Sequence, residues 1–151
     1  MPRGKATPLD AQVVIQLYDL RREPVMRKAR RFMVSEFWPK DYEEFKAVLT
    51  GYGTEQNEWM RQVLTYWDMA AAMVLRGAVD EDLFFETNNE PYFLFAKFGA
   101  FLPAARNDFV NPDFLVNLEK LAAKPRARQR ITGLQERLAR RIQGSAAKSA
   151  R

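Results

Sequence analysis

Thr54–Gly77 reads TEQNEWMRQVLTYWDMAAAMVLRG, and the fold turns on whether these residues make one helix. Thr54 is a good N-cap residue, and no Pro or Gly interrupts the run before Gly77. Arg76 places a cation where the helix macrodipole favours one, and Gly77 suits the left-handed residue that closes a helix. Trp59, Val63, Tyr66, Ala70 and Val74 form one stripe at helical spacing, and Met60, Leu64, Trp67, Ala71 and Leu75 form another beside it. A helix with two adjoining apolar stripes is covered from several sides. The spacing therefore predicts a long helix over about 54–77 at the centre of a bundle.

The sequence on either side is also helical in pattern. Thr7-Pro8 opens a first helix, with Asp10 three after the cap and Leu9, Val13, Val14, Leu17 and Leu20 as its apolar face. Glu23-Pro24 precedes a second, with Val25, Met26, Ala29, Phe32, Met33 and Phe37 at helical spacing up to Pro39. Asp41 caps a third that closes at Gly51. Beyond Gly77 come a short helix over Asp80–Thr87, an aromatic one over Pro91–Leu102, one opened by Asn111-Pro112, and a last one near Arg126–Gln143. No period-2 strand pattern stands out. The expected fold class is all-α: a compact single-domain bundle of six to eight helices over 1–123, followed over 124–151 by a basic amphipathic C-terminal helix and a flexible tail.

At 151 residues, with 47% hydrophobic and 28% charged residues, the chain has the composition of one globular domain. It contains no Cys and no His. That removes a disulfide framework, a thiolate nucleophile, the usual structural zinc, and the commonest general base and transition-metal ligand. Catalysis would have to rest on Asp, Glu, Lys, Tyr, Arg or a bound cofactor. The reading leans against an enzyme and expects no cofactor or metal. MPRGKATPLDAQ has no apolar signal core, and no stretch reaches the ~18 apolar residues of a membrane span. A cytoplasmic protein without a transmembrane segment is expected.

Charge is partitioned along the chain. Residues 1–31 hold eight Lys/Arg against three Asp/Glu, residues 32–123 seven against fifteen, and residues 124–151 nine against one. A basic beginning and a basic end thus flank an acidic body. In KPRARQRITGLQERLARRIQ, Ile131, Leu134, Leu138 and Ile142 share a narrow helical face, while Arg126, Arg130, Arg137, Arg140 and Arg141 cluster on an adjoining arc. These arginines are the candidate interaction surface. Such a helix suits a protein partner, an anionic membrane or a nucleic-acid backbone, bound without base readout, or else docks on its own acidic body. RREPVMRKARR, Arg21–Arg31, is a second basic run, read as a solvated helix face.

Two acidic features need an account. Asp80, Glu81, Asp82 and Glu86 read as the capped, negatively charged first turns of a helix rather than an oxygen-ligand metal site. Asp68 stands alone in the most apolar helix. It lies either on a narrow polar strip with Arg61 and Thr65 or in a structural ion pair with an arginine of the Arg27–Arg31 group. The aromatics Phe93, Phe95, Phe98 and Phe101 read as core, with a pocket or a dimer contact as alternatives.

The run YWDMAAAMVLRGAVDEDLFFE, Tyr66–Glu86, resembles a motif of a large uncharacterised family of small all-helical bacterial proteins, a domain of unknown function. There a helix ends at an Arg-Gly pair and leads into a short acidic helix. FLPAARNDFVNPDFLVNLEKLA, Phe101–Ala122, looks like the family's second block, where an Arg precedes a helix carrying Leu-Glu-x-Leu. The resemblance implies an all-α fold and no established activity. Members often carry an N-terminal membrane anchor, which is not expected here. The functional expectation is a self-associating interaction or scaffold module. Its rivals are a non-specific binder of nucleic acid or anionic membrane acting through the C-terminal helix, and a small-molecule-binding bundle.

Overall fold

A computed structural model describes residues 4–109 and 111–151. Among them are nine α-helices: α1 Pro8–Arg21, α2 Pro24–Arg31, α3 Tyr42–Leu49, α4 Glu55–Leu75, α5 Glu81–Thr87, α6 Glu90–Phe98, α7 Leu102–Asp108, α8 Val116–Ala122 and α9 Pro125–Ser149. A π-helical turn, Phe32–Glu36, prolongs α2, and a 3-10 turn, Gly99–Phe101, joins α6 to α7 as one broken helix. The fold is an all-α bundle of eight rods with no strand among the described residues.

The centre is α4. Met60, Val63, Trp67, Ala70 and Ala71 are wholly buried, because α2, α3, α5 and α8 pack around this helix. Thr54 caps it through the Asn57 N–H, and Gly77, at φ 77°, ends it. The Gly77 N–H reaches the Val74 carbonyl at 3.0 Å and the Ala78 N–H reaches that of Met73 at 2.8 Å, so the last turn closes as a Schellman motif. Asn57 is buried and donates to the Val48 and Leu49 carbonyls at 3.0 and 2.8 Å, which satisfies the end of α3 from inside α4.

The first helix is placed differently from its expected face. Leu17 is buried and Val13 and Val14 partly so, but Leu9 and Leu20 are 71% and 57% exposed. At about 100° per residue, both lie some 60–80° round the helix from Leu17. The other buried position of α1 is Asp10, which lies within about 20° of Leu17 on the inward face. One of its oxygens takes the Thr7 N–H at 2.7 Å, and the other takes the Asp80 N–H at 2.9 Å. The capping carboxylate of α1 thereby also ties the start of α5 to the start of α1. Val25, expected in the core, is half exposed.

A second tie runs through Glu90. Its carboxylate receives Arg30 in a forked contact at 2.6–3.1 Å and the Trp67 indole N–H at 3.1 Å, linking α2, α4 and α6. This hydrogen bond outweighs the cost of burial and holds the Arg30 guanidinium above its usual pKa. Arg30 is therefore a structural arginine rather than part of a solvated face.

Candidate functional site

The C-terminal helix begins as part of the body and ends outside it. Ala127, Ile131 and Leu134 are buried as α9 packs on α6 and α8. One and two turns further along the same face, Leu138 is half-buried and Ile142 is 61% exposed. The arginines divide at the same place. Arg126 pairs with Asp82 and stacks on Phe85, its guanidinium carbon 4.4 Å from the ring centre. Arg130 lies 3.4 Å over Phe85 and 5.1 Å from Tyr92, and donates to the Phe85 and Asn88 carbonyls at 2.8 and 3.3 Å. It so caps the end of α5, where the dipole favours a cation. Burial lowers its pKa, partly opposed by Tyr92.

Arg137, Arg140 and Arg141 face solvent. None of them makes an ion pair among the described residues, and Arg141 stacks on Trp38 at 4.8 Å. The arc of five arginines thus holds two that dock the helix and three that remain available.

Asp68 is half-buried, and its partners are neither solvent nor an arginine. Its carboxylate accepts the Leu118 N–H at 2.8 Å and the Asn117 side-chain amide at 3.1 Å, at the first turn of α8. Of the basic run proposed to pair with it, Arg30 binds Glu90 and Arg31 binds Glu36. The acidic stretch is laid out as helix punctuation: Asp80 accepts the Leu83 N–H at 2.8 Å and caps α5. Within the aromatic segment, Tyr92, Leu94, Phe98 and Leu102 are buried and Phe93, Phe95 and Phe101 pack against them, so this segment is core.

Lys97 is the residue that sequence reasoning missed. It projects from α6 toward the π-helical turn, where its amine donates to the Met33 carbonyl at 2.8 Å and the Val34 carbonyl at 3.4 Å. The turn creates that need. Phe37 N–H bonds back five residues to Phe32, and the residue five beyond Val34 is Pro39, which has no N–H to give. The amine also lies 3.7 Å from the centre of the Trp38 ring and 5.0 Å from that of Phe98. No carboxylate pairs with it among the described residues. Burial, reinforced by Arg141, lowers its pKa to about 7. The available signal was a lone lysine in FLFAKFGAFL with no acidic residue three or four positions away.

A cavity of about 260 Å³ opens beside Lys97, between Trp38-Pro39 and the Gln135, Leu138 and Ile142 side of α9. A second, of about 480 Å³, shares Trp38, Pro39 and Ile142 and adds Lys40, Arg141 and Ser145. The free half of α9 thus borders a cationic, aromatic cleft.

Residues 6–125 match the sequence profile of a family described as Domain of unknown function (DUF4760), and the chain belongs to that family. No curated protein and no solved structure matches the chain. The two family-like blocks meet in the fold: Asp68 of the first caps α8 of the second, and within the second Arg106 pairs with Glu119 at 3.0 Å and holds the Phe114 carbonyl at 2.9 Å. No described helix is long and apolar enough to cross a membrane.

Proposed function

We propose that the protein is a non-enzymatic interaction module that self-associates through the free half of α9. The observation that carries this reading is the helical segment beyond Leu134, in which Arg137, Arg140, Arg141 and Lys148 are exposed and only Leu138 is partly covered. A helical extension without a packed face is marginal in water, so contact with a partner is what would hold it.

Charge complementarity supports a second copy as that partner. Residues 32–123 carry fifteen carboxylates against seven cations. Glu43, Glu44, Glu55 and Glu58 are exposed at the starts of α3 and α4. Two copies that exchange arms reciprocally form a closed dimer. The contact is a surface one between opposite charges, so it weakens as salt shortens the Debye length.

Light scattering after size exclusion tests this in 50 mM and 500 mM salt. The full chain should be dimeric at low salt and shift toward monomer at high salt, and a chain ending at residue 136 should be monomeric in both. A full chain that is monomeric throughout, yet held on heparin or anionic vesicles only when residues 137–151 are present, would replace self-association with binding to an anionic surface.

A further inference from the structure

We propose that the cleft between the Trp38–Lys40 turn and α9 is a small-molecule site, in which Lys97 forms a Schiff base with a small aldehyde bearing an anionic group. Three features of the cleft converge on this assignment. Its inner cavity presents one amine, Lys97, among the largely apolar walls of Trp38, Pro39, Leu138 and Ile142. Its outer part presents two cations, Lys40 and Arg141, beside the same Trp38 and Pro39. The outer cavity, about 480 Å³, falls within the range of small-ligand pockets, and the inner one, about 260 Å³, shares Trp38, Pro39 and Ile142 with it. An anionic group in the outer part leaves the rest of a small molecule against the apolar wall, with its carbonyl next to Lys97.

The amine is also prepared for this chemistry. Two backbone carbonyls fix its position, and no carboxylate holds a proton on it. Burial and the nearby Arg141 leave much of it uncharged near neutrality, where an ordinary lysine is almost wholly protonated. The charged groups bordering the cleft are Arg141 from α9 and Lys40 from the turn, both cations. In the reaction the amine nitrogen bonds to the carbonyl carbon, both of the amine's protons pass in turn to the carbonyl oxygen, and the C–O bond breaks as that oxygen leaves as water. The product is an imine, and no oxidant or reductant is required.

Reductive trapping provides the test. The full chain is incubated at pH 7 with 4-carboxybenzaldehyde or, in parallel, benzaldehyde, reduced with cyanoborohydride, and mapped by peptide mass spectrometry. The other lysines serve as internal references. Lys97 should be labelled ahead of exposed lysines remote from the cleft, such as Lys28 and Lys120, by about tenfold or more, as expected of an amine with a depressed pKa. Arg141→Ala, which removes one cation from the outer part of the cleft, should lower labelling by the carboxylated aldehyde more than by benzaldehyde. Labelling of Lys97 no faster than that of exposed lysines would overturn the site. An unchanged preference in Arg141→Ala would overturn the anionic subsite. The labelling is carried out at a protein concentration at which light scattering finds only monomer, so neither outcome depends on self-association.

Discussion

Asp68, in the middle of α4, accepts the backbone N–H of Leu118 at 2.8 Å and so caps a helix fifty residues further along the chain. The helix it caps cannot cap itself. Its N-cap residue is Leu115, a buried apolar side chain held in the left-handed region at φ 54°. A β-carbon in that region costs roughly 1–2 kcal/mol, and the burial of a leucine returns roughly 1.5–3 kcal/mol. The backbone therefore turns to bury Leu115, and the capping oxygen comes from α4.

Asp68→Ala should lower stability by about 1–2 kcal/mol, the value of an N-cap whose loss leaves α8 amides unpaired. Urea unfolding reads this as a shift in midpoint at constant slope. Asp68→Asn keeps an oxygen acceptor and should recover a large part of it. A loss below about 0.5 kcal/mol for the alanine variant would mean that the cap contributes little.

The two kinds of arginine on α9 should separate cleanly. Arg130→Ala removes two carbonyl contacts and a stack on Phe85, and should cost about 2 kcal/mol in thermal or urea unfolding. Arg130→Lys should not restore it, because an ammonium cannot cover the ring and span both carbonyls at once. Arg140→Ala should stay within about 0.5 kcal/mol of the parent. Equal effects at the two positions would erase the distinction between docking and free arginines.

What was legible in the sequence follows from what is local. Thr7, Asp41, Thr54 and Asp80 cap the helices that follow them because the capping oxygen and the amide it binds lie three residues apart. Gly77 is equally local. The tertiary uses of polar groups were not legible. Asp10 reaches Asp80, Asp68 reaches Leu118 and Lys97 reaches Met33 across separations of 50 to 70 residues. Each satisfies a helix end or a distorted turn rather than an opposite charge, so a search for ion pairs looks past them. The break in α2 was hidden as well, since FMVSE carries no residue that forces a π turn.

Lys97 should leave its mark on the pH dependence of stability. Below about pH 7 it is protonated in both the folded and unfolded chain, and the cost of burying its charge is present in full. Above that, the unfolded chain still binds the proton that the folded chain has released, so stability rises with pH up to the ordinary lysine range. Tyr66 acts in the opposite sense at higher pH: burial raises its pKa to about 12, so the stability it contributes is lost above the ordinary tyrosine value. The useful window is therefore about pH 7 to 9.5. Urea midpoints should climb across it in the parent chain and flatten in Lys97→Met. An equal climb in both would assign the effect to other groups.

The family match ends at residue 125, but the packing does not. Ala127, Ile131 and Leu134 lie beyond it and are buried as α9 packs on α6 and α8. Burial of Ile131 and Leu134 contributes roughly 3–6 kcal/mol at 1.5–3 kcal/mol each, a large share of the ~5–15 kcal/mol that holds a domain of this kind together. A chain ending at residue 136 should unfold in urea close to the parent, because it loses only the exposed arm. A chain ending at residue 125 should unfold at a much lower midpoint or fail to fold. Leu134→Ala should cost about 2–3 kcal/mol, while Ile142→Ala, on the same face two turns later and 61% exposed, should cost less than about 0.5 kcal/mol. Similar stability for the 125- and 136-residue chains would show that α9 adds nothing to the core. The bundle would then end where the family match ends.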